Sequence, residues 1–319
     1  MSQEKIIQFL KEAESYISGE EMSDQLRISR AAVWKYIDQL RHDGYEIAAV
    51  PHLGYKLESA PDKLLPYEIS FGLGTKTIGR NIVSLDTVGS TMDEAFALGM
   101  KAAPEGTVVC AESQSKGRGR LGRGWVSPKG KGLYFSLILR PKFAPSQMAQ
   151  LTLMTAVVLS EALENSAGVK TAIKWPNDLL SGGRKLAGVL TELRAEMDQV
   201  KFVVIGIGVN INASAGQLVP EATSLKIETG RSFNRVALLQ EILRGMESWY
   251  EILNRGGFAP VLEEWKKRCG TLKKRVRVAD AAGTVEGVAF DLDSDGGLLI
   301  RQDSGVVIKK MAGDILQLR

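Results

Sequence analysis

The hydrophobic period of this chain changes twice along its length, which excludes a single repeating architecture and demands more than one kind of layer. Up to Gly44 apolar residues recur at helical spacing, as in EKIIQFLKEAES and RAAVWKYIDQLRHD. From about Asn81 strand-like runs alternate with longer amphipathic stretches. From about Thr271 only short strands remain, RVRVAD, TVEGVAFDL, GLLIRQ and VVIKKM, with a turn at Asp295-Gly296-Gly297. SAPDKLLPYEI, with two prolines, reads as a linker near residues 59–66. No internal repeat is present, and 319 residues suffice for two or three domains. The pattern predicts an α+β chain with domains at residues 1–63, 64–270 and 271–319, the last a small SH3-like β-barrel.

In the first domain Gly19 is expected to break the chain, EEMSDQLR to form a short second helix, and Ser29 to cap a third helix that Gly44 stops. A hairpin follows, Tyr45-Glu46-Ile47 and Tyr55-Lys56-Leu57 around Pro51-His52-Leu53-Gly54. Two helices joined by a tight turn and followed by a β-wing resemble a winged helix-turn-helix, whose second helix enters the DNA major groove. Ser29, Arg30, Ala31, Trp34 and Lys35 are its DNA-binding candidates, although Trp34 can equally point into the core. Through residue 60 the segment carries 7 basic and 10 acidic residues. DNA contact must therefore come from a local basic face, strengthened by dimerisation onto a palindromic site, and a helix-turn-helix used only for protein contact stays open.

For the middle of the chain, strands are expected at NIVSLDTV, TVVCAESQ, GLYFSLILR, KTAIKW, RKLAGVLTELRAE and VKFVVIGIGVNIN. Helices are expected at TMDEAFALGMK, SQMAQLTLMTAVVLSEALENS and NRVALLQEILRGMESWYEIL. LAGVLTELRAE and VKFVVIGIGVN, joined by the turn Met197-Asp198-Gln199, predict an antiparallel hairpin, and hence a mixed or antiparallel sheet with helices on one face.

Only two histidines occur, His42 and His52, so chemistry in the later part of the chain uses no Ser-His-Asp triad, histidine base or His-ligated metal. Cys110 and Cys269 have no metal-ligand spacing and read as buried fillers. No long uncharged apolar stretch or signal-like start is seen, so no membrane partner and a cytoplasmic location are expected. Net charge is only +4, but no Asp or Glu occurs in the 48 residues between Glu112 and Glu161, which carry eight Lys and Arg. Within them SKGRGRLGRGWVSPKGKG reads as a cationic loop, and its glycines suggest backbone packed close to an anionic ligand.

Gly117-x-Gly119-x-x-Gly122 matches the dinucleotide-binding fingerprint in letters, yet no helix can open from RGWVSPKGKG and no acidic residue follows before Glu161. Read whole, the stretch Gly117-Arg-Gly-Arg-Leu-Gly-Arg-Gly-Trp125 resembles the signature of the biotin protein ligase family. Lys174-Trp-Pro-Asn-Asp178, Arg184-Lys-Leu-Ala-Gly188 and Gly206-Ile-Gly-Val-Asn210 match further blocks in order, and Gly89-Ser90-Thr91 sits where the family has its Ser-Thr pair. The likeness runs from about residue 80 to the end. With the winged helix it resembles the bifunctional ligase/repressor type.

That resemblance implies an ATP-dependent reaction in which biotin becomes biotinyl-5'-AMP and is then passed to a lysine of an acceptor. The implied acceptors are the biotin carboxyl carrier protein or domain of acetyl-CoA carboxylase and also pyruvate carboxylase. Ser90, Thr91, Gln114 and the backbone at Gly117 and Arg118 would bind the ureido ring, while Trp125 covers the valeryl chain beside Gly188, Gly206 and Gly208. Arg120, Arg123 and Lys185 would face the phosphates, with Arg120 and Lys185 also touching biotin. Asn177 and Asn210 would meet ATP, and Asp178 would orient Mg²⁺ or the incoming lysine. Bland roles stand beside these: Gln114 as a surface residue, Trp125 as a loop anchor, Asn177 as a turn former. Residues 116–132 would form a lid that orders over the adenylate. The adenylate-bound homodimer would bind operator DNA and repress biotin genes. A ligand-sensing repressor without ligase activity is the alternative, and a lipoate ligase another.

Overall fold

The computed structural model describes residues 2–197, 199–280 and 283–317, so Asp198 of the expected turn lies outside the described residues. The chain divides into two compact units at residues 63 and 64.

The first unit contains α1 (Ser2–Glu12), α2 (Gly19–Leu26), α3 (Arg30–Asp43) and a hairpin of β1 (Glu46–Val50) and β2 (Gly54–Ser59). Ser29 caps α3 as expected, its Oγ accepting the Ala32 N–H at 3.1 Å. Gly19 does not break the chain but begins α2, because Ser18 Oγ accepts the Glu21 N–H at 3.0 Å and supplies the missing cap. Ile6, Ile7, Leu10, Met22, Val33, Ile37 and Leu40 are buried together with Tyr45 and Ile47. Arg41 donates Nε and Nη2 to the Ile47 carbonyl at 3.1 and 2.6 Å, fastening the wing to α3. Trp34 is 59% exposed, which removes it from the core.

The second unit begins with α4 (Pro66–Ser70), β3 (Ile82–Val88), α5 (Thr91–Met100), β4 (Val108–Gln114), β5 (Gly132–Leu139) and α6 (Met148–Ala167). It continues with β6 (Ala172–Lys174), β7 (Asp178–Ser181), β8 (Arg184–Glu196), β9 (Gln199–Asn210), α7 (Leu225–Thr229), α8 (Arg235–Gly256) and α9 (Ala259–Arg268). The sheet order is β3-β4-β5-β9-β8-β7-β6, with β3 and β4 parallel and all other neighbours antiparallel. The mixed sheet and the β8–β9 hairpin are as expected.

Helices on one face are not. Val109, Ile138, Phe202 and Val204 pack with Met92 and Ala95 of α5 on one side of the sheet. Val108, Cys110, Phe135, Leu137, Val203 and Ile205 pack with α6, α8 and α9 on the other. The physical reason is legible in β5, whose eight residues are all buried: GLYFSLIL is apolar on both faces but for Ser136, because both its faces are covered.

The tail forms β10 (Arg275–Asp280), β11 (Gly283–Leu292), β12 (Leu298–Arg301), β13 (Val307–Lys310) and β14 (Asp314–Gln317), an antiparallel sheet in the order β13-β12-β11-β10-β14. Its apolar residues Val276, Val278, Ala289, Ile300 and Ile315 join the cluster under α6 and α9. Trp175 Nε1 donates to the Gly296 carbonyl at 3.2 Å.

Arg235, only 2% exposed, sits 2.8 Å from Glu112 Oε2, whose other oxygen accepts the Leu64 N–H at 2.8 Å. Removing one partner of such a buried pair costs about 3–5 kcal/mol, so the pair fixes the start of this unit against β4 and α8. Cys110 beside it is fully buried, and that burial pushes its thiol up to about 12, so it is no nucleophile. Among the described residues no helix is long and apolar enough to cross a membrane.

Candidate functional site

On the α5 face of the large sheet the cross-strand pairs are Gly188 with Gly208 and Leu190 with Gly206, so glycines leave a bare floor across β8 and β9. Trp125 from the cationic loop lies on that floor: a Cβ on Gly208 would come within 2.5 Å of its ring. The indole Nε1 is buried and makes no hydrogen bond. A cavity of about 610 Å³ opens here, within the range of small-molecule sites. It is lined by Ser90, Thr91, Gln114, Arg118, Arg120, Arg123, Trp125, Asn177, Asp178, Lys185, Gly188, Gly206, Gly208 and Asn210. Of the expected site residues of this unit, only Gly117 is not among its walls.

Gly117 is held tightly inside the loop. A Cβ there would lie 2.5 Å from the Trp125 carbonyl, which accepts no such neighbour. The loop folds back on itself, with Trp125 N donating to Gly117 O at 2.8 Å and Gly119 N to Arg123 O at 2.7 Å. Close approach within the loop therefore demands a glycine here, and the Gly117 carbonyl is taken by Trp125 N.

At one end of the cavity the hydrogen bonds fix which way each polar group faces. Ser90 caps α5, with Oγ accepting the Met92 N–H at 3.3 Å, which leaves its own proton free to donate. Gln114 Oε1 accepts from Thr91 N at 2.9 Å and from Thr91 Oγ1 at 3.2 Å. Gln114 Nε2 donates to Ser127 Oγ at 3.0 Å. With its oxygen occupied, the amide can offer the cavity only its second N–H. Gln114 is thus part of a network, not a surface residue.

The rest of the wall is cationic. Arg120 donates to Asn177 Oδ1 at 3.0 Å and to the Gly313 carbonyl at 3.2 Å, and its partial burial lowers its pKa against the opposing pull of Asp314 and Asp178. Arg123 pairs with Asp314 at the surface. Arg118 turns to Asp93 and Glu192, at 2.9 and 3.1 Å. Lys185 Nζ stands 2.7 Å from Asp178 Oδ1 and 5.4 Å from the centre of the Trp125 ring. Asn177 is buried and uses both ends of its amide internally, since Nδ2 also donates to Val189 O at 2.7 Å. Those bonds tie the cationic loop and β8 to the segment before β7.

Two groups of lining residues escaped the sequence reading. Leu218, Val219, Glu221 and Ala222 come from the stretch before α7, which runs beside β8: Lys185 N donates to Glu221 O at 2.8 Å and Thr223 N to Lys185 O at 2.9 Å. Arg277, Ala279, Gly313, Asp314, Ile315 and Leu316 come from the C-terminal sheet. Neither has a local motif, because both reach the site through contacts distant in sequence. The DNA-binding candidates lie in the first unit, where Arg30, Ala31, Trp34 and Lys35 are exposed and Ser29 is spent as a cap.

Among the described residues no cluster of three or more His, Cys, Asp or Glu could hold a metal ion by itself. Asp178 is the carboxylate in the cavity wall nearest Lys185, paired with it at 2.7 Å, and a hard oxygen ligand of this kind suits one position on a Mg²⁺ that brings its other oxygens from phosphate and water once Lys185 turns to phosphate.

Residues 85–210 match the biotin/lipoate A/B protein ligase family, residues 2–56 an HTH domain and residues 271–316 the biotin protein ligase C-terminal domain. The biotin protein ligase from Aquifex aeolicus, solved in complex with biotin and ATP, superimposes with a TM-score of 0.64 at 30% identity, over 75% of this chain and 99% of that one. The bifunctional ligase/repressor BirA of Escherichia coli is 32% identical over 98% of this chain and 95% of its own length. The bifunctional ligase/repressor BirA of Bacillus subtilis is 40% identical over 93% of both chains. With identity at that level sustained through the HTH unit, the glycine-floored site and the C-terminal sheet, this chain belongs to the bifunctional biotin ligase/repressor family.

Proposed function

We propose that the chain joins biotin to ATP as biotinyl-5'-AMP, passes the biotinyl group to a lysine of a biotin carboxyl carrier protein or domain, and represses transcription at an operator. The observation that carries the ligase half is a single cavity in which a glycine floor under Trp125 adjoins the cations Lys185 and Arg120. Ser90 and the oriented Gln114 amide donate to the ureido carbonyl, and Trp125 covers the valeryl chain on the glycine floor. The carboxylate then points at Lys185 and Arg120.

A carboxylate is ionised at neutral pH, so its attack on the α-phosphorus needs no general base. One of its oxygens bonds to phosphorus as the bond to the leaving pyrophosphate breaks. Negative charge that grows on the phosphate oxygens is met by Lys185, Arg120 and Arg123, of which Arg123 must first leave Asp314. Asn177 holds the Arg120 guanidinium in place and Asn210 faces ATP from the end of β9. Mg²⁺ supplies further charge neutralisation when bound with ATP, with Asp178 as its protein ligand. In the second step the acceptor amine attacks the acyl carbon, AMP leaves and the amine loses a proton; Asp178 is also placed to orient that amine.

Residues 116–132 act as a lid in this proposal: Arg118, Arg120 and Arg123 tie the loop to different parts of the unit, and a ligand that competes for those cations resets the ties. Carriers of acetyl-CoA carboxylase and pyruvate carboxylase are the proposed acceptors, and an adenylate-bound homodimer in the cytoplasm is the proposed DNA-binding form. Domain limits at residues 63/64 and 270/271 belong to the same proposal.

The deciding experiment supplies Mg-ATP with biotin or lipoate and no acceptor, measures pyrophosphate, and identifies the retained ligand by mass spectrometry. Biotin-dependent release with biotinyl-5'-AMP retained is expected, and Lys185→Ala should lower it by about 10²–10³-fold, the effect of removing one preorganised charge partner. Release with lipoate instead points to a lipoate ligase. No release from a folded protein that binds biotin points to a sensor without ligase activity.

A further inference from the structure

We propose that Trp34 is a specificity-determining residue that reads thymine methyl groups in the major groove, so that the sites chosen by this chain carry thymine opposite the first half of α3. This rests on the operator-binding reading of the N-terminal unit and adds to it a base class and the residue that selects it. Of the five recognition candidates on α3 and its cap, Ser29 is committed: its Oγ holds the Ala32 N–H. Arg41, farther along the helix, is committed to the wing through the Ile47 carbonyl. What remains exposed in the first half of the helix is Arg30, Ala31, Trp34 and Lys35, which at this spacing share one side. Recognition helices present their N-terminal residues to base edges, and these four occupy that position.

The division of labour follows from their chemistry. Arg30 and Lys35 carry the positive charge that complements phosphate in a unit that is otherwise acidic. Trp34 and Ala31 offer mainly apolar surface. An indole has one N–H donor and no acceptor, so it cannot make the paired bonds that read adenine or guanine. The feature of the major groove that apolar surface discriminates is the C5-methyl of thymine. Trp34 is 59% exposed and the largest such surface on the helix, while Val33 and Ile37 on the other side are fully buried. Farther along α3, His42 Nδ1 meets the Asp38 backbone carbonyl at 2.9 Å, so the imidazole packs along the helix.

The test uses the full chain with biotin and Mg-ATP. A duplex is selected from a random pool, then remade with deoxyuridine in place of every thymidine, and both are titrated by fluorescence anisotropy at one salt concentration. Deleting a buried methyl is worth about fourfold in affinity, so the uracil duplex should bind at least about fourfold more weakly for each methyl that Trp34 touches. Trp34→Ala should bind both duplexes alike, whereas Arg30→Ala should weaken both and keep the ratio. Circular dichroism checks that the variants stay folded, as substitution at an exposed site allows. Equal binding of both duplexes by the unmodified chain, with affinity for the selected site still above that for random DNA, overturns the role of Trp34 and leaves operator binding standing. Failure to select any duplex overturns both and makes this face of α3 a protein contact.

Discussion

A Cβ on Gly208 would come within 2.5 Å of Trp125 Cε2 and 2.7 Å of its Nε1, so strand and indole compete for one volume. Gly206 is different, since the atom its Cβ would meet is Met92 Sδ, the movable end of a flexible side chain. Gly208→Ala should therefore displace the indole from the floor and raise the biotin KM about tenfold, in line with 1–3 kcal/mol of overpacking, with a smaller effect on kcat. Initial rates at saturating ATP measure this, and an unchanged KM would detach Trp125 from the binding of biotin. The same scale shows what residue patterns hide. Gln114, Arg120 and Lys185 are readable as motif letters, but the bonds from Gln114 to Ser127 and from Arg120 to Asn177, which set the direction of each group, are not.

At the scale of elements, α8 reaches the loop before β3 through Glu247, whose carboxylate accepts the N–H groups of Lys76, Thr77 and Ile78 at 2.7, 2.7 and 3.0 Å. Burial opposes its ionisation, but the backbone donors at Lys76, Ile78 and Thr77 outweigh that and hold the carboxyl below the ordinary glutamate range. A depressed folded pKa contributes stability that is fully present above the unfolded value, about 4.3, and is lost as pH falls through the folded value. The stability gap between the unmodified chain and Glu247→Gln should hold near pH 6 and shrink below about pH 4. Urea unfolding at the two pH values tests it, and a constant gap would mean that ionisation of Glu247 is irrelevant. Among the elements themselves, the long ones were legible: α6, α8, β8 and β9 stand close to where period and caps put them. Missed were α9, whose ten residues follow α8 closely, and the four- and five-residue elements α4, β7 and α7, because short elements are held by tertiary packing and carry little period of their own.

For the whole molecule, the proposed switch requires that adenylate bind the dimeric, DNA-competent state better than the monomer. Linkage then makes the effect reciprocal. Sedimentation of the full chain should show a shift toward dimer on addition of biotin and Mg-ATP, and affinity for its selected DNA should rise between about five- and 150-fold, the usual span of such coupling. An unchanged oligomeric state together with unchanged DNA affinity would separate the two functions. The N-terminal unit makes that dependence reasonable, since 10 acidic against 7 basic residues through position 60 leave a single copy little general attraction to phosphate.

By itself the sequence determined the three regimes of period, the winged helix with its Ser29 cap, the histidine-free chemistry and the cationic loop with its companion motifs, because each is written in neighbouring residues. Only the tertiary structure decided that helices cover both faces of the large sheet and that Trp34 stays outside the core. It alone brought the stretch before α7 and the C-terminal sheet to the walls of the cavity, and it alone showed that the Trp125 carbonyl leaves no room for a Cβ at Gly117. These depend on pairings such as Lys185 with Glu221 and Arg123 with Asp314, made across separations at which a chain carries no local signal of its partner.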